Sequence, residues 1–314
     1  NMDGSITGEA SQKAMTADKG TPITSNAAIS GITPQEQKGD NPPKAAATRI
    51  ITIGAPVKAR AIRPSAPVAL AYSIVRGPEW QGRAPTAPGS VLEYRLRSEI
   101  IAPSNLNGSG SNDRAYVGAV SAGLHTHFSR GGVDISAGVD LVDIGPQTGL
   151  VDLQDWFHNI VSAPTISNGV IANQVGNSVF PTALAQVSYP VRLSENASVR
   201  PFVEAQYGVE DFVRIGADIV IGEIMQNDLW LRDSPTGQLY AGVESGQPGF
   251  GFIVGADYAV IGDSAYFPAS FGTVAQDERF RARAGMHWRL GDNISYFYGV
   301  TYLSEEYVGQ PEGQ

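Results

Sequence analysis

Few residues in this chain are suited to chemistry, since it has only four histidines and no cysteine. His158 stands four places after Gln154, so on a helix the two side chains project from one side. A neutral imidazole near pH 7 can accept a proton, which is the work of a general base. A histidine on a short helix is nevertheless more often structural than catalytic. His125 and His127 are two apart and share a strand face, an arrangement open to a metal pair; polar lining of a barrel interior is the plainer account. His287 sits among Arg281, Arg283 and Arg289 in FRARAGMHWRL. That arginine row could bind lipid phosphates, although pairing with acids such as Glu93 and Glu99 explains it more simply. Asp113 beside Arg114 reads as a loop anchor, and Glu305 with Glu306 as a solvated strand end. Without cysteine there is no disulfide and no thiolate metal centre.

The elements that would position these groups are strands. Period-two alternation recurs from Tyr72 onward. Phe280, Ala282, Ala284, Met286, Trp288 and Leu290 fall on one face of a strand whose other face carries arginines and His287. VDISAGVDLVDI alternates Val133, Ile135, Ala137, Val139 and Leu141 with Asp134, Ser136, Gly138 and Asp140. VRIGADIVI, VLEYRLRSEI and ISYFYGVTYL behave alike. A soluble sandwich also alternates. Here, however, the segments run to about ten residues or more, the length of a tilted membrane-crossing strand. Full charges stay on one face, and Tyr94, Trp288, Tyr296 and Tyr302 gather near segment ends, where interfacial girdles form. The pattern predicts an all-β, transmembrane β-barrel of the outer-membrane type. Connections are short near 195–199 and 291–293, and long near 103–113, 224–238 and 262–276. One segment breaks the alternation: TGLVDLQDWFHNIV (148–161) places Leu150, Leu153, Phe157, Ile160 and Val161 at helical spacing, with Thr148 as its cap.

Composition limits the rest. A net charge of −9 argues against a nucleic-acid partner. No run of about 18 apolar residues exists to make a membrane helix, which leaves strand-built spans open. The chain opens at Asn1 without an apolar signal core, as a processed or shortened product would. Residues 1–71 contain no aromatic residue and are rich in Ala, Thr, Ser, Gly and Pro, so disorder or an atypical segment is the default reading for 1–65, with the barrel over 66–314. Within that stretch, RIITIGAPV (Arg49–Val57) could add a strand.

Four features between Ile100 and Asn159 resemble the LpxR family of lipid A 3′-O-deacylases: Ala102-Pro103-Ser104, Asp113-Arg114-Ala115-Tyr116, Ile144-Gly145-Pro146 and Gln154-Asp155-Trp156-Phe157-His158. They occur in the family's order and spacing, and YSIVRGPEWQG, RPFVEAQYG, GADIVIG and the C-terminal stretch extend the likeness from Tyr72 to Gln314. The resemblance implies a twelve-stranded barrel in the outer membrane of a Gram-negative cell. It implies a hydrolase acting on lipid A of lipopolysaccharide, with metal-dependent cleavage of the 3′ acyloxyacyl ester and calcium as the usual metal. On that basis His158 would be the base and Gln154 its motif partner, Ser65 the best candidate metal ligand, and Asp113, Arg114, Gly145 and Pro146 the structural motif.

The chain also departs from the family. The expected first strand with an Asn-Asp pair is not found, Pro67 replaces a Gly, Pro164 stands where an acid is expected, and the final strand is missing after Gln314. A silent barrel of the same family, with a structural or lipid-binding role, is the alternative. A small porin or soluble β protein is the second. Oligomeric state and acyl-chain choice are not legible.

Overall fold

The computed structural model describes residues 10–16, 45–54, 68–107, 113–163, 165–244, 248–291, 294–310 and 313. The first half of the chain forms strands β1 (Ala10–Thr16), β2 (Ala45–Gly54), β3 (Val68–Pro78), β4 (Leu92–Ile101), β5 (Val117–Arg130) and β6 (Val133–Ile144). Helices α1 (Leu150–Val161) and α2 (Asn168–Ala172) follow. The second half contains β7 (Ser178–Ser188), β8 (Val191–Ser194), β9 (Ala197–Tyr207), β10 (Glu210–Ile221), β11 (Leu229–Arg232), β12 (Leu239–Val243), β13 (Gly249–Ser264), β14 (Glu278–Gly291) and β15 (Ile294–Leu303).

All strands but β11 and β12 belong to one antiparallel sheet, and the pairing of β9 with β10 closes it into a ring. β8 continues β7 beyond Pro190 along the same neighbour, β9, so the described wall has twelve strand positions. This is the all-β barrel that the alternation predicted. β1 stands between β15 and β2, with Ser11 opposite both Tyr298 and Ile53. β2 then pairs with β3 along its whole length.

Residues 10–16 and 45–54 therefore stand in the wall, although disorder was the default expectation before residue 66. Part of the Arg49–Val57 stretch lies in β2. The physical reason is edge pairing: β3 and β15 would otherwise present rows of unpaired N–H and C=O groups, which hydrocarbon cannot solvate. The edge of β15, where the family's final strand was expected, is occupied by β1.

The wall is polar inside and apolar outside. On β4, Glu93, Arg95 and Glu99 are buried while Tyr94 and Leu96 are exposed. On β10, Arg214 and Asp218 are buried while Val213, Ile215, Ile219 and Ile221 are exposed. β13, β14 and β15 repeat the pattern, with Phe252, Val254, Val260, Phe280, Tyr296 and Val300 outside. His125, His127 and His287 are all buried on the inner side, in the polar lining of the lumen. His125 bonds Asp140 at 3.1 Å and His127 bonds Glu93 at 3.0 Å.

The arginine row finds partners other than those expected. Arg281 forks onto Asp257 at 2.9 and 3.1 Å. Arg283 bonds Asp218 at 2.8 Å and also Asp257. Arg289 reaches Asp228 at 2.6 Å and Glu244 at 3.0 Å. Glu93 and Glu99 instead pair with their strand neighbours Arg95 and Arg97, because i and i+2 on a strand face the same side.

Residues 224–238, expected as a connection, turn back into the lumen. There β11 and β12 form a buried two-stranded hairpin. Leu229, Leu231 and Tyr240 pack on Val75 and Val91, while Trp230, Leu239 and Ala241 pack on Val220 and Ile253. Arg232 ties the hairpin to the wall through Asp218 at 2.7 Å and Gln186 at 2.6 Å. Gln238 Nε2 donates to Val300 O at 2.9 Å. A lumen filled in this way is not the open channel of a porin.

Asp218 serves Arg232 of the hairpin and Arg283 of the wall together. Asp218→Ala leaves two buried guanidiniums without that acceptor, and should destabilise the barrel by about 3–5 kcal/mol. Urea unfolding in detergent, followed by heat-modifiable gel migration, measures the loss; an unchanged midpoint would mean that the hairpin is held by its apolar contacts alone.

Candidate active site on the outer wall

The parity of β5 decides which side of the wall the site occupies. Val120 and Leu124 are exposed and His125 and His127 are buried, so even-numbered residues face outward. Tyr116, two places before Gly118, lies in the same outward row. It is 1% exposed because Ala102, Ile166 and Val170 of the 102–106 and 165–172 segments cover it. Helix α2, capped by the Ser167 side chain accepting from Val170 N at 3.2 Å, supplies part of that cover.

Gly145 and Pro146 turn the chain from the wall into the helix. Gly145 has φ 101°, and a Cβ there would stand 2.7 Å from the Gly176 backbone, so only glycine fits the crossing. Its N–H bonds Gly118 O at 2.9 Å, and Pro146 opens a short 3-10 turn at the barrel rim. Gly118 allows the helix to approach: a Cβ on it would meet Leu150 Cβ at 3.1 Å and Thr148 Oγ1 at 2.7 Å. The cap of α1 is Gly149 and not Thr148, whose hydroxyl donates to Gly145 O at 2.8 Å inside the preceding turn.

Gln154 and His158 face the barrel side of α1. Tyr116 OH donates to Gln154 Oε1 at 2.8 Å, and Gln154 Nε2 lies 3.5 Å from His158 Nε2. The first bond fixes the amide, which turns its NH2 toward the ring. The second is at the outer limit of a hydrogen bond and steers the imidazole. Burial pushes the Tyr116 phenol above its ordinary value, keeping it a donor. Tyr116 belongs to the Asp-Arg-x-Tyr motif, but sequence reasoning gave it no role. Its outward parity with Gly118 was the available signal.

The opposite face of α1 is apolar and open. Leu153, Trp156, Phe157 and Ile160 follow the i, i+3, i+4, i+7 spacing and are exposed, Trp156 at 60% and Ile160 at 61%. Val120, Leu141 and Val179 of β5, β6 and β7 extend the exposed apolar band toward the same rim. A histidine thus sits beside an apolar helix face on the outside of a barrel.

Asp113 and Arg114 clasp the rim rather than joining the histidine. Asp113 accepts from Ser104 N at 2.7 Å and from Tyr307 OH at 3.1 Å. Burial, then the charge of Asp113, holds the Tyr307 phenol up at about 12. Arg114 pairs with Glu306 and lies 4.6 Å from the Phe267 ring centroid. Glu306, expected to be solvated, is therefore an anchor, because the C-terminal stretch folds back over the rim. Ser65 lies outside the described residues.

Calcium needs six to eight oxygen donors, several of them carboxylates. Beside His158 the described residues offer Gln154 Oε1, already taken by Tyr116, and Asp155, whose Oδ1 accepts from Ile166 N at 3.2 Å. Among the described residues no group of three or more His, Asp or Glu stands together to hold a metal. That donor set does not fit a calcium ion.

Barrel and external helix together define a class: an outer-membrane-type β-barrel with a histidine on its outer face. No protein-family profile and no curated protein matches the sequence. Among solved structures, the fold is similar to LpxR from Salmonella typhimurium, with a TM-score of 0.59 and 15% identity over 74% of this chain and 88% of that one. At that identity the likeness establishes the fold.

Gly145→Ala is expected to cost about 1–3 kcal/mol from backbone strain alone, and to loosen α1 from the wall. Proteolysis within 145–177 measures the second effect. Unchanged protease resistance would mean that the helix is held by Tyr116 and Leu150 and not by the turn.

Proposed function

We propose that this chain is an outer-membrane ester hydrolase acting on lipid A, with His158 as the base. One observation carries the reading: the Tyr116–Gln154–His158 chain lies on the outward side of the wall, beside an exposed apolar helix face. A soluble substrate would be better served by the lumen or a loop. An acyl ester at the top of a lipid leaflet would meet this face directly.

The chemistry follows from the residues. Leu153, Trp156, Phe157 and Ile160 would sink among acyl chains, each contributing about 1.5–3 kcal/mol on leaving water. Gln154 and Tyr116 orient the imidazole. The His158 imidazole takes a proton from water as the water oxygen attacks the ester carbonyl. The tetrahedral adduct expels the lipid alkoxide, which takes that proton back from the imidazolium. The products are a free fatty acid and a lipid hydroxyl. The 3′ position and the acyloxyacyl group come from the resemblance between Ile100 and Asn159. Calcium dependence comes from the same source, and we route no step through a metal that the described donors do not fit.

Mass spectrometry of lipid A from cells expressing the chain should reveal loss of one acyloxyacyl unit. His158→Ala should lower the rate by about 10²–10⁴-fold, and Gln154→Ala by about one to two orders of magnitude through ring misorientation. Chelation tests the cofactor separately: loss of hydrolysis with EDTA and its return with calcium would establish metal dependence. The scarcity of free carboxylates beside His158 among the described residues favours one rival, a silent barrel. Unchanged lipid A around a correctly folded, membrane-inserted protein would establish that rival instead.

A further inference from the structure

Between the tip of the lumen hairpin and the rim loops the barrel encloses a cavity of about 120 Å³, with Ser234 and Pro235 below it and Tyr266 and Phe267 along its sides. Its lining has six arginines against five acids, an excess of one positive charge. Hydrogen bonding in this lining is lopsided. Among the described residues, Nε of Arg97, Arg114, Arg214 and Arg279, together with Nη2 of Arg279, are buried and have no hydrogen-bond acceptor. Arg214 Nε and Arg279 Nη2 stand 3.1 and 3.0 Å from carboxylate oxygens of Asp257 and Glu210, close enough for charge attraction but outside hydrogen-bond alignment. No buried carboxylate oxygen of the lining lacks a donor.

The unsatisfied groups are thus all donors. Buried polar groups left unpaired are costly, so the missing component must be an acceptor. Water can accept from these nitrogens too, but each water also brings two protons to place and no charge to set against the excess of arginine. An oxyanion brings acceptors only, and its geometry matches the arginine fork. The arginine side chains are held in place: Arg114 is 1% exposed and pairs with Glu306, and Arg214 is 8% exposed and bonds Glu204 at 2.6 Å. We propose that this cavity binds a small phosphate-type oxyanion, which cross-links the β4, β10 and β14 walls to the 114 and 267 rim segments. The site is inside the barrel and His158 outside it, so this inference stands apart from the hydrolase reading.

The test uses the folded full chain in detergent, with unfolding midpoint and phosphorus NMR line width as readouts. Inorganic phosphate should raise the midpoint and broaden its own resonance more than chloride at equal ionic strength does. Arg97→Lys and Arg279→Lys keep the charge but lose the Nε donor, and each should weaken phosphate binding by about tenfold. His158→Ala should bind phosphate as the unaltered chain does. Lipid A in mixed micelles forms a second arm. A midpoint shift that needs the lipid, and is lost in both Lys variants, supports an oxyanion site filled by a headgroup phosphate. A phosphate response no larger than that of chloride, with none to lipid A, overturns the proposal, as does undiminished binding in both Lys variants. If neither variant folds, the comparison of phosphate with chloride on the unaltered chain decides.

Discussion

Everything in this molecule depends on leaving no backbone edge unpaired. A sheet whose outer face is apolar cannot expose N–H and C=O groups to hydrocarbon, so it must close. Here closure falls to a segment with little else to recommend it. β1 is ASQKAMT, a sequence with modest strand propensity, and β2 is AAATRIITIG, whose second half alone is rich in β-branched residues. What they supply is backbone: β1 takes the free edge of β15 on one side and pairs with β2 on the other. Side-chain quality counts for less in that place than hydrogen-bond geometry.

Closure creates the second constraint, a narrow interior in which charges must neutralise one another. Asp218, Asp257 and Glu204 each meet arginines from different strands or from the inserted hairpin. The interior is stabilised as a network and not as separate pairs, and the Tyr116–Gln154–His158 chain lies apart from it on the outer wall. Glycines make that placement possible. Gly118 lets a helix lie against the outside of β5, and Gly145 turns the chain over the rim to start it.

Much of this was legible in the sequence. In β4, β6, β10, β14 and β15 the period-two pattern assigned the faces, because over about ten residues one face is mostly apolar and the other mostly charged or polar; Val142, Phe212, Val220 and Phe297 are apolar residues that nevertheless lie inside. The helix at Leu150–Val161 was equally clear. The lumen hairpin was not. LWLR and LYAGV are short and buried on both faces, so neither period nor length separates them from a loop. The arginine partners were misassigned because pairing across a barrel depends on shear and register, which one sequence does not state. Tyr116 was missed for another reason: its bond to Gln154 joins residues 38 apart, across the rim turn.

The join between β15 and β1 has a further consequence for the order of assembly. Ser11 and Tyr298 lie near opposite ends of the chain, so their pairing closes a loop of almost the full length. Such a contact bears the largest loop-closure entropy available to this sequence, and forms slowly. The hairpin at 229–243 is bounded by the neighbouring strands β10 and β13, so its placement needs far less loop closure than the β15–β1 seam does. On contact order, folding resembles packing a case before fastening it: the local pairings come early, and the β15–β1 seam closes last.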